Sequence, residues 1–283
     1  MKGQVYKVHT DSYSVKCGKQ LYKCGARGVL KKRGEEILVG DVVEIENQTI
    51  VSVSERKNRF IRPNVANVDL IVGVVSPEPK PDFFVVDKLY LNAVKEGVEF
   101  VIVVNKTDVS KEIVEQVYTE YGKLGVKIIE ISTKTKKGLE DIANLLKDKL
   151  TVLAGQSAVG KTSIVNALFG VDMKVGQLSE KIARGKHTTT RSEIFDNGEI
   201  RLIDTPGFAV IDAMIELEDL PFCYPEYFEV SSDCKFRGCL HVSEPDCQVK
   251  RLVEEGILSK KRYERYVEIY KEISTRRNIY EKH

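Results

Sequence analysis

Eight residues, Gly155-Gln156-Ser157-Ala158-Val159-Gly160-Lys161-Thr162, match the spacing G-x-x-x-x-G-K-[ST] and stand between the apolar run LTVLA and a helical run from Ser163 to Phe169. Glycines at this spacing let successive backbone N–H groups turn inward around phosphate oxygens at a helix N-terminus. There the Lys161 ammonium adds a point charge and the Thr162 hydroxyl can ligate Mg²⁺. A chance glycine-rich turn would not need the strand before it and the helix after it. A second loop, Asn105-Lys106-Thr107-Asp108, follows the apolar run VIVV. The Asp108 carboxylate can accept from N1–H and the exocyclic amine of guanine, Asn105 can reach the opposite edge, and the Lys106 stem can pack over the ring. Adenine offers that carboxylate neither donor, and a pocket of such paired contacts rejects the wrong partner by about 10⁴ to 10⁵. Ser132, within Ile131-Ser132-Thr133 after the next apolar run, is placed to present a backbone N–H to the base oxygen. Asp204-Thr205-Pro206-Gly207, after IRLI, supplies a carboxylate for the metal and a Gly207 N–H for the γ-phosphate.

A third cluster has a different chemistry. Cys234-x4-Cys239-x-His241-x5-Cys247 gathers three thiols and an imidazole within fourteen residues. That is a closed Cys₃His set with no open position for substrate, which points to structural zinc. A disulfide is the competing account, but it leaves His241 unexplained. The segment is too short to fold on a core of its own, so chelation should unfold it and spare the central domain. Cys17, Cys24 and Cys223 lie outside the cluster and read as buried small side chains.

These loops need elements to hold them. From Pro63 onward buried apolar runs (VDLIVGVV, VEFVIVV, VKIIEI, LTVLAG, EIRLID) alternate with helical stretches near Phe83 to Lys95, Lys111 to Leu124 and Leu139 to Lys149. That is the pattern of a doubly wound α/β domain, and every loop above falls at the carboxyl end of a strand. Before it, five short alternating runs between Gln4 and Val53 fit an OB-like β-barrel, or a generic small barrel on pattern alone. After about Glu216 regular pattern is lost until a last helix from Ser259 to about Glu281. The expected units are therefore 1–62, 63–215 and 216–283.

The chain has 283 residues, 42% hydrophobic and 30% charged, which excludes disordered, collagenous and disulfide-dense classes. Its longest apolar runs, Leu70 to Val75 and Phe100 to Val104, fall far short of the ~20 residues that cross a bilayer. The start MKGQVYKVHT has no apolar signal region, so the reading is cytoplasmic, without membrane contact. The net charge of +2 hides +6 over residues 1–62, −8 over 63–233 and +4 over 234–283. Basic ends around an acidic middle suit a protein that grips a polyanion with its outer modules, though solvated surface charge gives the same sums. Lys260, Lys261, Arg262, Arg265, Arg276 and Arg277 on the last helix are either phosphate contacts or a solvated face.

The motifs run base loop, phosphate loop, sensor loop, whereas in Ras-like GTPases the phosphate loop comes first; the order is rotated, and the domain therefore reads as circularly permuted. A permuted GTPase between an OB-like barrel and a Cys/His segment resembles the RsgA/YjeQ family of bacterial small-ribosomal-subunit maturation GTPases. The resemblance covers essentially the whole chain. It includes Gly185-Lys186-His187-Thr188-Thr189-Thr190, close to the family's G-R-H-T-T-T switch, Gly40-Asp41-Val42-Val43 in the barrel, and the spacing of the Cys/His cluster. Lys186, Ala158 and Thr162 depart from the family's Arg, Gly and Ser. The resemblance implies GTP hydrolysis with magnesium, stimulated by the 30S subunit, coupled to its late maturation and to release of another assembly factor. It also implies contacts to 16S rRNA and one zinc ion, and a monomer is expected. Thr189 is the favoured switch ligand to Mg²⁺ and γ-phosphate, with its neighbouring threonines as alternatives.

Phe208 stands where Ras-like enzymes carry the Gln that orients water, so hydrolysis by the isolated chain should be slow until a partner completes the site, a contribution worth about 10³ to 10⁵ elsewhere. His187 is a candidate water-positioning group; the other reading is a loop histidine that caps or contacts RNA. Only 26 residues separate Gly207 from Cys234, so loss of the γ-phosphate is expected to loosen the hold on RNA through the metal module. A reading from another class is an RNA-binding assembly module in which guanine nucleotide is only structural. A third, an ATP-dependent kinase, is disfavoured by Asn105 and Asp108.

Overall fold

The protein is described by a computed structural model that covers residues 1–28, 30, 36–61, 63–171, 192–204 and 213–280, the side chains of 204 and 278–280 excepted. Five short strands open it: β1 (Lys2–Val8), β2 (Tyr13–Cys17), β3 (Gln20–Ala26), β4 (Val42–Glu46) and β5 (Thr49–Val53). Alternation in each sends one residue inward for each outward one. Val5, Val15, Cys24, Val43, Ile45 and Ile50 form the barrel core, each no more than 1% exposed. The strands pair in the order β1-β2-β3-β5-β4 and β4 returns to β1, closing an OB-like barrel. A small hairpin of β6 (Arg59–Phe60) and β7 (Val65–Ala66) leads out of it.

The central sheet holds β8 (Leu70–Val75), β9 (Glu99–Val104), β10 (Lys127–Glu130), β11 (Leu150–Ala154), β12 (Glu193–Asp196) and β13 (Arg201–Asp204). Its order is β10-β9-β8-β11-β13-β12, parallel except for β12. Helices α1 (Phe83–Lys95), α2 (Glu112–Tyr121), α3 (Leu139–Leu146) and α4 (Lys161–Phe169) cover it. Strand β8 shows why its run is continuously apolar. Leu70, Val72 and Val74 enter a core with Ile142 and Leu146 of α3, while Ile71 and Val75 enter another with Leu89 of α1 and Val117 of α2.

Strand β12 has no counterpart in the sequence expectations. It pairs antiparallel with β13 and, on its other side, with β1 of the barrel through Lys7 and Glu193, so barrel and central domain form one eleven-stranded sheet. Side chains reinforce the seam: Tyr6 Oη and Lys16 Nζ both donate to Asp196 Oδ2 at 2.5 Å, and Arg201 Nη1 donates to Gln4 Oε1 at 3.0 Å.

The C-terminal part holds α5 (Pro225–Phe228), α6 (Gln248–Glu254) and α7 (Lys260–Tyr280). Tyr224 and Tyr227 stack at a centroid separation of 5.1 Å, Tyr266 meets both edge-on at 4.9 and 5.2 Å, and the three join the core beneath α1 and α2. Of the basic residues of α7, Arg262, Arg265 and Arg276 fit neither the phosphate-facing nor the solvated-face reading. Arg262, 3% exposed, donates to Asp87 Oδ1 (2.8 Å) and Glu226 Oε1 (2.5 Å) and lies 4.7 Å from the Tyr224 ring. Arg265 donates to Asp87 Oδ2 (2.5 Å) and Glu120 Oε2 (3.0 Å). Arg276 donates to the Ala213 carbonyl and Arg277 pairs with Glu218. These guanidinium groups seat the helix on the domain, which leaves Lys260 and Lys261 exposed to solvent. Among the described residues no helix is long and apolar enough to cross a membrane.

Candidate functional site

The loops of β9 and β11 meet at the carboxyl edge of the sheet. Between their strands lies β8, and the chain switches direction here: β9 is added on one side of β8 and β11 on the other, the place where open α/β sheets bind ligands. Asn105, fully buried, crosses the gap. Its Nδ2 donates to the Val159 carbonyl of the glycine-rich loop at 3.0 Å, and its Oδ1 accepts from the Thr133 amide at 3.4 Å. Lys106 Nζ donates to the Ala158 carbonyl (2.9 Å) and to that of Glu78 (2.6 Å), so its stem spans the same loop. Thr107 Oγ1 donates to the Ile131 carbonyl at 3.0 Å, tying the β9 loop to the β10 loop.

Asp108 is exposed at the mouth of this junction. Ser132 Oγ donates to its Oδ1 at 2.6 Å and also accepts from the Thr135 amide at 3.1 Å. The Ser132 hydrogen bond holds the Asp108 carboxyl below the usual carboxylate range, so it is an acceptor at neutral pH. Ser132 therefore touches the carboxylate through its side chain, a contact the sequence reading, which used only its backbone N–H, did not include.

The glycine-rich loop needs its glycines for a visible reason. Gly155 (φ 139°) and Gly160 (φ 99°) are left-handed or beyond, and a Cβ on the first would overlap the Val74 carbonyl, on the second the Asn105 amide. Val159 is buried and anchors the loop in the core, while Ser157 and Ala158 are exposed at its tip. Lys161 Nζ donates to the carbonyls of Gly155 and Gln156, both at 2.7 Å, which keeps its charge over the loop. Gln156 Oε1 accepts from the Asp82 amide at 2.9 Å, and Asp82 Oδ1 in turn caps α1 at the Phe84 amide. Thr162 and Ser163 are half-buried in the first turn of α4, and a hydroxyl there suits the oxygen ligation of Mg²⁺. Asp204 ends β13, next to β11, but its side chain, Gly207, Phe208 and the switch residues Lys186, His187 and Thr189 lie outside the described residues.

The cysteine cluster lies far along the chain in a segment with little regular structure. Its four ligand atoms are within 4.8 Å of one another, with Cys247 Sγ at 3.4 Å and Cys234 Sγ at 3.7 Å from His241 Nδ1, and the two sulfurs 4.0 Å apart. A tetrahedral zinc with its usual bond lengths sets such atoms roughly 3.4–3.8 Å apart, so the donor set and spacing fit. Burial pushes the Cys239 thiol up to about 12 and lowers His241, which favours neutral forms and makes cation binding release protons. Three supports around the cluster were not legible as such. Tyr263 Oη donates to the His241 carbonyl (2.8 Å), Tyr266 Oη to that of Leu240 (2.7 Å), and Glu244 accepts from the amides of Leu240, Val242 and Ser243. Cys24 and Cys223 are buried and Cys17 half-buried, away from the ligands.

Comparison with known proteins agrees with this arrangement. The RsgA GTPase family model matches residues 53–214, and the RsgA N-terminal domain model matches residues 2–50. The small ribosomal subunit biogenesis GTPase RsgA of Geobacillus sp. (strain WCH70) is 38% identical over 292 aligned positions, covering 99% of each chain. Among solved structures, YjeQ from Thermotoga maritima superposes with a TM-score of 0.78 at 32% identity, covering 96% of this chain and 98% of its own. YloQ, described as a circularly permuted GTPase, gives a TM-score of 0.76 at 31% identity over 97% of this chain and 95% of its own. The permuted motif order, the OB-like barrel and the full-length matches have one explanation: the chain belongs to the RsgA GTPase family.

Proposed function

We propose that the protein is a cytoplasmic GTP hydrolase that binds the small ribosomal subunit and couples hydrolysis to its late maturation. The observation that carries the reading is the 3.0 Å hydrogen bond from Asn105 to the Val159 carbonyl, because it brings a guanine-selective loop and a phosphate-wrapping loop to one point. Asn105, Lys106, Thr107, Asp108 and Ser132 take the base. Residues Gly155 to Ser163 take the phosphates, with Lys161 on the terminal ones and Thr162 and Asp204 on Mg²⁺; that ion would neutralise charge developing on the transferred phosphoryl group. Gly207, His187 and Thr189 complete the site as sensor, water-positioning group and switch ligand. Cys234, Cys239, His241 and Cys247 hold zinc, whose work is structural.

The units 1–62, 63–215 and 216–283 act together as a monomer: the outer two contact 16S rRNA, and the middle one times their release along with that of another assembly factor. A GTPase assay with and without purified 30S subunits tests this. Phosphate release should rise strongly with 30S, vanish in Lys161→Ala and ignore ATP. Turnover unaffected by 30S would overturn the ribosomal part. Selective use of ATP would overturn the base assignment, and full RNA function of Lys161→Ala would reduce the nucleotide to a structural ligand.

A further inference from the structure

The central sheet has two ends, and they are treated differently. At one, β12 is continued by β1 of the barrel. At the other, β10 pairs only with β9, and among the described residues no strand lies beyond it. The Ile131 amide donates to the Val104 carbonyl on β9, so the alternation of a strand turns the N–H and C=O of Ile128, and the N–H of Glu130, outward. No described backbone group meets them.

This edge forms the floor of a groove of about 850 Å³. Tyr118 of α2 overhangs it from one face of the sheet and Leu145 of α3 from the other, with Ile128 half-buried between them. Lys127, Lys137, Lys147 and Lys149 surround it against only Glu130 and Asp141 among the lining acids. Lys149 is paired with Glu99 and Lys137 loosely with Glu130, which leaves Lys127 and Lys147 without a described partner.

We propose that the β10 edge is a docking site for an extended acidic segment of a protein partner, which adds to the sheet as a further strand. A peptide backbone offers both the donor that the Ile128 carbonyl lacks and the acceptors that the Ile128 and Glu130 amides lack, while its alternating side chains reach the apolar overhangs on either face. An RNA chain has 2′-hydroxyl donors, but it does not repeat donors and acceptors at the strand spacing of the Ile128 and Glu130 groups, so the edge favours peptide. Acidic side chains complement the lysine excess. The four residues of β10 set the length of contact, about 13 Å of extended chain. Lysines on an edge strand can also serve only to repel other strands, and the test separates the two.

The probe is an eight-residue peptide of alternating valine and glutamate, added to the full-length ¹⁵N-labelled protein. Docking slows exchange of the Ile128 and Glu130 amides at least ~10-fold, while the same peptide N-methylated at alternate residues does not. The double reversal K127E/K147E weakens binding ~10-fold or more and leaves GTP hydrolysis unchanged. Three results overturn the proposal: no change in amide exchange, equal binding of the N-methylated peptide, or equal protection by a uridine octanucleotide.

Discussion

The nucleotide loops and the cysteine cluster solve the problem of holding a site in opposite ways. The loops hang from buried parallel strands, and side chains such as Asn105, Lys106 and Thr107 lock them to one another with bonds of 2.6 to 3.4 Å. The cluster sits in a fourteen-residue stretch with almost no regular element, held by a few tyrosine and Glu244 contacts, to which an ion on its four ligands would add. The lesson is that the described nucleotide loops are organised by the fold itself, whereas the proposed zinc site would draw much of its order from its ion.

Removing the cation tests that contrast most severely. Metal binding of this kind supplies about 10 kcal/mol or more of folding free energy. Chelation should therefore raise amide exchange through 234–247 to that of an open chain, while α7 stays docked by Tyr224, Tyr227, Tyr266 and Asp87 and the sheet stays protected. If the sheet melts together with the cluster, the contrast is wrong. Asp108→Asn probes the other side: guanine selectivity should shift toward xanthosine triphosphate by about 10⁴, with the melting profile unmoved, because the loop is held by its neighbours.

Asp87→Ala strikes the joint between the two regions. It would leave Arg262 and Arg265 without their shared carboxylate, at a cost of about 3–5 kcal/mol, read as earlier urea release of α7 while the sheet unfolds at its normal midpoint. The smallest effect is expected from Gly160→Ala. The methyl must displace the Asn105 amide at a left-handed backbone position, which costs about 1–3 kcal/mol and should weaken GTP binding through loop geometry alone.

The loops were readable in the sequence because their chemistry is local: spacing within eight residues specifies the backbone path, and a long apolar run announces the strand before it. Helix α1 begins and ends where its periodicity places it, at Phe83 and Lys95. Strand β12 escaped because EIFD is short and only partly buried, and its identity as a strand comes from β13 and the barrel rather than from its own pattern. The buried arginines of α7, which neither open reading anticipated, escaped for a related reason. Nothing near residue 262 reveals that Asp87 and Glu226 will lie beside it, since an ion pair spanning 175 positions leaves no local trace. The tyrosine supports of the cluster are hidden likewise, as their acceptors are main-chain carbonyls that any residue could provide.

The seam between β1 and β12 has a bearing on how the chain is born. Lys7 and Glu193 are 186 positions apart, so β1 leaves the ribosome long before its partner β12 exists. The barrel closes on itself in the meantime, which shelters that early strand. Docking it against the late-made hairpin becomes one of the last steps of maturation, and slowing synthesis ahead of residue 193 should lengthen the interval in which the two halves tumble independently.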